Sequence, residues 1–159
     1  MAINIRDAVP DDAATILRFI TELAIYEKAE QEVEATIELL TASLFGPGRV
    51  SRAVICEVDG APAGFAIWFY NYSTWQARKG LYLEDLYVTP EHRGSGAGKM
   101  LLKHLARIAI VEGCGRFEWS VLDWNEPAIR VYEAIGAEPL SEWTRYRLVG
   151  KELEALAAS

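Results

Sequence analysis

Apolar and polar positions change period several times along this chain, and each change marks an element. Residues 3–7 alternate, as a strand with one buried face does, placing Ile3 and Ile5 on that face. Pro10-Asp11-Asp12 supplies helix-start chemistry, and Ala13, Ile16, Leu17, Ile20, Leu23 and Ala24 follow at helical spacing towards Tyr26. A shorter helix is predicted over 36–45, stopped by Gly46-Pro47. Residues 53–58 and 64–70 read as strands joined through Asp59-Gly60, a hairpin turn signal. Residues 81–88, rich in aliphatic and aromatic side chains, make a further strand. A helix over 98–112 buries Leu101, Leu105 and Ile108, a strand follows over 117–122, and a helix over 127–135 stops at Gly136. Residues 144–149 read as a last strand of the sheet, followed by a short helix over 151–157. The order β-α-α-β-β-β-α-β-α-β implies an α/β architecture: a mixed sheet, antiparallel in its first half, with helices on both faces.

Composition narrows the class without changing that picture. The 159 residues suit one domain, 1–159, and 51% hydrophobic with 25% charged content is that of a globular chain. No apolar run reaches the roughly 18 residues of a membrane span, and charges stand near the N-terminus where a signal peptide is apolar. A cytoplasmic setting is therefore expected, with Cys56 and Cys114 as reduced, inert thiols. The net charge of −7 argues against a nucleic-acid or anionic-membrane surface and favours attraction of cationic small molecules. His92 and His104 show no metal-ligand spacing, so no metal is expected.

Chemistry concentrates in Tyr87-Val88-Thr89-Pro90-Glu91-His92-Arg93-Gly94-Ser95-Gly96-Ala97-Gly98-Lys99. A buried strand ends at Val88, Pro90 breaks it, and a glycine-rich turn opens directly into a helix. Glycines let backbone approach a ligand closely, and the amides of a helix start beside its positive dipole end suit an anion. Arg93 and Lys99 add full charges. Two familiar phosphate loops are excluded by spacing: Arg93 stands where an ATP-binding loop needs glycine, and Gly94, Gly96 and Gly98 alternate where a dinucleotide loop reads G-x-G-x-x-G. By itself the segment is an anion-binding turn.

Glu84 and Asp85 interrupt an otherwise apolar strand. An unpaired buried carboxylate costs several kcal/mol, on the order of other buried charges. Adjacent strand residues face opposite ways, so the two share a partner only across a bulge. One or both reach solvent or an arginine, or one faces a cleft where burial raises its pKa towards general-base use. Further on, Asn125-Glu126-Pro127 reads as a helix start, and Ala128, Tyr132 and Ile135 share one face of that helix.

Arg93-x-x-Gly96-x-Gly98 after a strand ending in Tyr-Val resembles the acetyl-CoA pyrophosphate loop of the GCN5-related N-acetyltransferases. The resemblance extends over nearly the whole chain, towards the diamine and thialysine N-acetyltransferase branch. It is carried by Glu22-Leu23-Ala24-Ile25-Tyr26-Glu27, Tyr72-Ser73-Thr74-Trp75, Tyr82-Leu83-Glu84-Asp85-Leu86-Tyr87-Val88, and Val121-Leu122-Asp123-Trp124-Asn125 running on to Tyr132. It implies the GNAT fold, a mostly antiparallel sheet splayed between its middle strands, with the acetyl-CoA co-substrate in the split. Donor contacts are implied for Leu86, Tyr87 and Val88, for Arg93, Gly94, Ser95, Gly96, Ala97, Gly98 and Lys99, and for Asn125, Glu126, Pro127, Ala128 and Tyr132. Glu84 is implied as the base that deprotonates the amine, directly or through water, and Tyr132 as the acid that protonates the departing sulfur. Acceptor contacts are implied for Tyr26, Glu27, Glu84 and Asp85, for the loop Ser73, Thr74 and Trp75, and for Glu118, Trp119 and Ser120.

Polyamine-specific members carry an acidic residue at the position of Ser73, whereas this loop reads as in thialysine-type members. A lysine-like amine or short diamine is therefore the expected acceptor. A polyamine, a protein amine, and a non-catalytic acyl-CoA sensor remain alternatives. The resemblance also implies a homodimer, with the region from Leu140 onward as interface.

Overall fold

The turn between residues 58 and 61 shows how directly local chemistry sets this sheet. Asp59 and Gly60 both take positive φ, 50° and 82°, the conformation whose twist suits a two-residue hairpin. It joins β2 (Ser51–Val58) to β3 (Ala61–Ser73), which pair antiparallel. β1 (Ile3–Asp7) lies on the outer side of β2, and β4 (Arg78–Val88) on the other side of β3, both antiparallel. β5 (Phe117–Trp119) adds a parallel edge to β4, so spatial order follows chain order, β1 to β5. A computed structural model describes all 159 residues, which gather into two compact units, Met1–Ser120 and Val121–Ser159.

In the first unit, α1 (Ala13–Tyr26) and α2 (Ile37–Phe45) cover one face of the sheet. Ile16 and Phe19 of α1, and Leu40 and Leu44 of α2, pack with Ala53, Ile55, Phe65, Ile67 and Tyr87. Phe19, absent from the stripe expected for this helix, is fully buried and stacks against Phe65 and Tyr87 with centroids 5.7 and 5.9 Å away. Burying such a ring contributes about 2–3 kcal/mol. The opposite face receives α3 (Ala97–Val111), which buries Leu101, Leu102, Leu105 and Ala109. Ile108, expected beside them, is only half-buried, and Leu102 takes its place because the buried stripe runs through 101, 102, 105 and 109. The sheet with helices on both faces is the architecture expected, and no helix is long and apolar enough to cross a membrane.

One ion-pair cluster ties the start of the chain to β2. Arg6 donates to both carboxylate oxygens of Asp12, at 2.8 and 2.9 Å, and to Glu57 at 3.0 Å. Asp12 also accepts the Val9 amide, and its pKa is lowered, chiefly by the Arg6 hydrogen bonds.

The second unit contains α4 (Glu126–Ala134) and α5 (Gly150–Ala158). Residues 144–149, expected as a strand, form none, and β5 stops at Trp119 rather than 122. Alternation is present there, but a strand needs a ladder partner within the sheet, and this stretch has none. Tyr146 is 92% exposed, and Trp143, Leu148 and Val149 are exposed with it.

Candidate functional site

The pairing register of β4 explains its two carboxylates. Ile67 lies opposite Asp85 and Trp68 opposite Leu83, so Glu84 is an extra residue, a β-bulge. The bulge reverses the alternation of the strand. Leu86 and Val88 line the face under the start of α3, within reach of Gly98. By register Leu81 and Leu83 share that face too, because Trp68 and Ala66 lie opposite Leu83 and Leu86. Without the bulge those two leucines would point the other way. Tyr82-Leu83 and Leu86-Tyr87 are thus two apolar runs out of phase, and the carboxylates stand where the phase slips. That slip is a sequence signal, though it does not by itself say which carboxylate is enclosed.

The structure separates them. Glu84 is exposed, while Asp85 is half-buried on the face that carries Ile67 and Tyr87. Burial, the neighbouring Glu84 charge and then the Glu27 charge raise Asp85 from its ordinary 3.8 to about 6. Glu27, just past the end of α1, is itself raised by burial. The helix end that places it is fastened by Glu27 N–H to Leu23 C=O and Ala29 N–H to Ala24 C=O, with Lys28 left-handed at φ 61°. The Glu84 and Glu27 charges thus both act on Asp85, and the acidic field there suits an ammonium group.

Beyond Leu83 the β4 edge loses its partner, because pairing with β5 ends at Leu83 opposite Trp119. The strand continues to Val88, so backbone along residues 84–88 is open on that side. This is the splay expected, and it leads straight to the glycine loop. There Pro90–His92 makes one 3-10 turn, Gly94 and Gly96 take φ of 81° and 94°, and Gly96 caps α3. An added Cβ at either glycine would meet nothing within 4 Å. Their role is therefore conformational, and it leaves the backbone bare. The first α3 amides have no intrahelical acceptor, since the first i to i−4 bond runs from Met100 to Gly96. The result is a cradle of amides at a positive helix end, which fits a pyrophosphate.

Arg93 does not stand clear of this cradle as a free cation. Its Nε donates to the Val88 carbonyl at 3.0 Å, and its guanidinium lies 5.1 Å from the Tyr26 ring centre and 5.5 Å from that of Tyr87. The Tyr87 hydroxyl donates to Glu22 at 2.8 Å, and burial pushes it up to about 12, so it stays neutral.

The acceptor residues expected from the sequence are not all brought together. Tyr26, Glu27, Glu84 and Asp85 gather. Ser73 sits at the far end of β3, opposite Arg78, with its hydroxyl accepting the Gln76 amide. Six residues of β3 separate it from Ile67, the partner of Asp85, which at about 3.3 Å each is roughly 20 Å. Ser73, Thr74 and Trp75 therefore cannot touch the atoms that Asp85 touches within one chain, and Trp75 is 81% exposed at the hairpin tip. Glu118 and Trp119 lie on β5, opposite Tyr82 and Leu83, and the Ser120 hydroxyl is 2.8 Å from that of Tyr82. In the second unit Asn125 is buried and precedes α4, which carries Glu126, Pro127, Ala128 and a half-buried Tyr132. No cluster of three His, Cys, Asp or Glu side chains is arranged to hold a metal ion.

Comparison with known proteins follows the same lines. The profile of the acetyltransferase (GNAT) family matches residues 17–137. The thialysine N-epsilon-acetyltransferase of Bos taurus is 38% identical over 98% of this chain and 97% of its own length. An L-ornithine N5-acetyltransferase of Arabidopsis thaliana is 29% identical over 96% of this chain and 87% of its own. An integron cassette protein of V. cholerae superposes with a TM-score of 0.82 at 28% identity, covering 100% of this chain and 99% of its own.

Proposed function

Since the chain belongs to the acetyltransferase (GNAT) family and transfers acetyl from the family's co-substrate, acetyl-CoA, to a small-molecule amine, we propose that its acceptor is the side-chain amine of a lysine- or ornithine-like molecule. The observation that carries the site is the splay of β4 from β5, with Asp85 at its head and the amide cradle at its foot. The donor pyrophosphate rests on the amides of Gly94, Gly96, Gly98 and Lys99, since those of Ser95 and Ala97 already donate within the loop, and its acyl arm follows the open edge of β4.

The reaction is a direct transfer. An ammonium has no lone pair, so a carboxylate removes one proton before attack. Asp85, held near 6, is better poised for this than exposed Glu84, which draws the cation in. The amine nitrogen then bonds to the thioester carbon, whose oxygen is met by a backbone amide near Leu86. The carbon–sulfur bond breaks and the thiolate takes up a proton, the role the family resemblance implies for Tyr132; the nitrogen releases its second proton to solvent, which restores the phenol, and the amide and free CoA leave.

Release of CoA thiol, followed with thialysine, ornithine, lysine, putrescine and spermidine, tests the reading. Thialysine or ornithine should be turned over fastest. Clearly faster spermidine turnover would move the acceptor to polyamines, a choice the acidic field at Asp85 also suits, and no release with any amine would leave an acyl-CoA-binding module. We further propose a cytoplasmic homodimer. Its interface is the exposed apolar run Leu140, Trp143, Tyr146, Leu148 and Val149, and light scattering at working concentration checks it.

A further inference from the structure

Arg93 lies between two halves of the site. On one side is the donor loop, which begins at this residue and is fastened to the end of β4 by its Nε bond to Val88. On the other is the C-terminal end of α1, whose Tyr26 and Glu27 form the acceptor wall. The guanidinium plane reaches both Tyr26 of that wall and Tyr87 of β4, and Tyr87 is held in turn by Glu22, one turn before Tyr26 on α1. The outer edge of Arg93 is exposed, so each ring contact is worth little singly. A planar cation touching two rings, with its Nε already committed to a carbonyl, nevertheless has few orientations left.

We infer that Arg93 is a positioning residue that latches the donor loop to the acceptor wall, so that filling the pyrophosphate cradle orders Tyr26 and tightens amine binding. The inference rests on the reading that the glycine loop holds the donor. A donor on the loop amides holds residues 93–98 in place, and with them the guanidinium over both rings and the end of α1 against β4. By linkage the amine must tighten donor binding by the same factor. A phosphate ligand in the same position would strengthen donor binding alone.

Calorimetric titration of thialysine, or of whichever amine of the panel is turned over fastest, with and without saturating coenzyme A tests this. In the unaltered enzyme coenzyme A should tighten amine binding at least about fivefold, the low end of ordinary couplings. In Arg93→Ala the factor should fall below about twofold. Arg93→Lys, which can keep the bond to Val88 but cannot lie flat across two rings, should also lose most of it and serves if the alanine variant does not fold. Donor-side kcat/KM should fall more in either variant with acetyl-CoA than with S-acetylpantetheine, which lacks the pyrophosphate and so cannot fill the cradle. A coupling factor unchanged in a folded variant overturns the latch, and so does weaker coenzyme A binding with the coupling to the amine kept, which would make Arg93 a phosphate ligand. Absence of coenzyme A binding in the unaltered enzyme would instead bring down the reading of the loop.

Discussion

Replacing Asp85 by Asn keeps the side chain's shape and removes its charge, and should make the enzyme both more stable and nearly inactive. The ionised carboxylate is unfavourable in the fold, since its pKa rises from 3.8 to about 6. At about 1.4 kcal/mol per pH unit the full cost is on the order of 3 kcal/mol, an upper bound that partial contact with solvent reduces to about 1–2 kcal/mol. The sign follows from proton counts. Between about pH 4 and 6 the folded state binds more protons at this site than the unfolded chain, so stability falls as pH rises through that window. The variant escapes this loss. Its advantage should be complete above about pH 6.5, roughly halved at pH 5, and gone below about pH 4. For a chain of this size each kcal/mol moves the melting temperature by about 2–4 °C, so Asp85→Asn should melt about 3–6 °C higher at pH 7.5. Thermal melts from pH 4 to 8 measure it, with kcat/KM taken across the same range. The unaltered enzyme should show an ascending limb near pH 6, and the variant should lose the limb and about 10²–10⁴-fold in rate. A variant that melts lower at pH 7.5, or that keeps its rate within threefold, refutes Asp85 as the enclosed base.

Three further outcomes are expected, the first from the family resemblance and the other two from the geometry. Tyr132→Phe should lower kcat by about 10²-fold while leaving the KM for acetyl-CoA nearly unchanged, and steady-state kinetics with varied donor separates the two. Gly96→Ala puts a side chain at φ 94° with nothing for it to strike. It should cost about 1–2 kcal/mol of stability and raise the KM for acetyl-CoA at least about tenfold, since the methyl group stands where the phosphates approach. Arg6→Ala leaves Asp12 and Glu57 without their cation, and urea melts should show a loss of about 1–3 kcal/mol at pH 7. Because the pKa of Asp12 is lowered, that difference should be full above about pH 4 and shrink as pH falls through its folded value.

Much of this protein is determined locally, and so was legible in the sequence. The Asp59-Gly60 turn, the helix α1 after Pro10-Asp11-Asp12, and the glycine loop opening into α3 each depend on residues a few positions apart. Positive φ at Gly94 and Gly96, and bare amides at a helix start, follow from residue type and order alone. What lay beyond the sequence depends on partners distant in the chain. Whether residues 144–149 make a strand depends on a ladder partner, which alternation cannot supply. Ser73 is an acceptor contact by resemblance, yet the antiparallel hairpin carries it roughly 20 Å from the partner of Asp85. Arg93 reads as a phosphate cation, and only the fold shows that Tyr26, 67 residues earlier, lies beneath it. The choice between Glu84 and Asp85 is of the same kind. Both are acidic residues in one apolar run, and only the pairing of β4 with β3 makes the first an exposed bulge and turns the second onto the covered face, where burial and two neighbouring charges give it a different proton affinity.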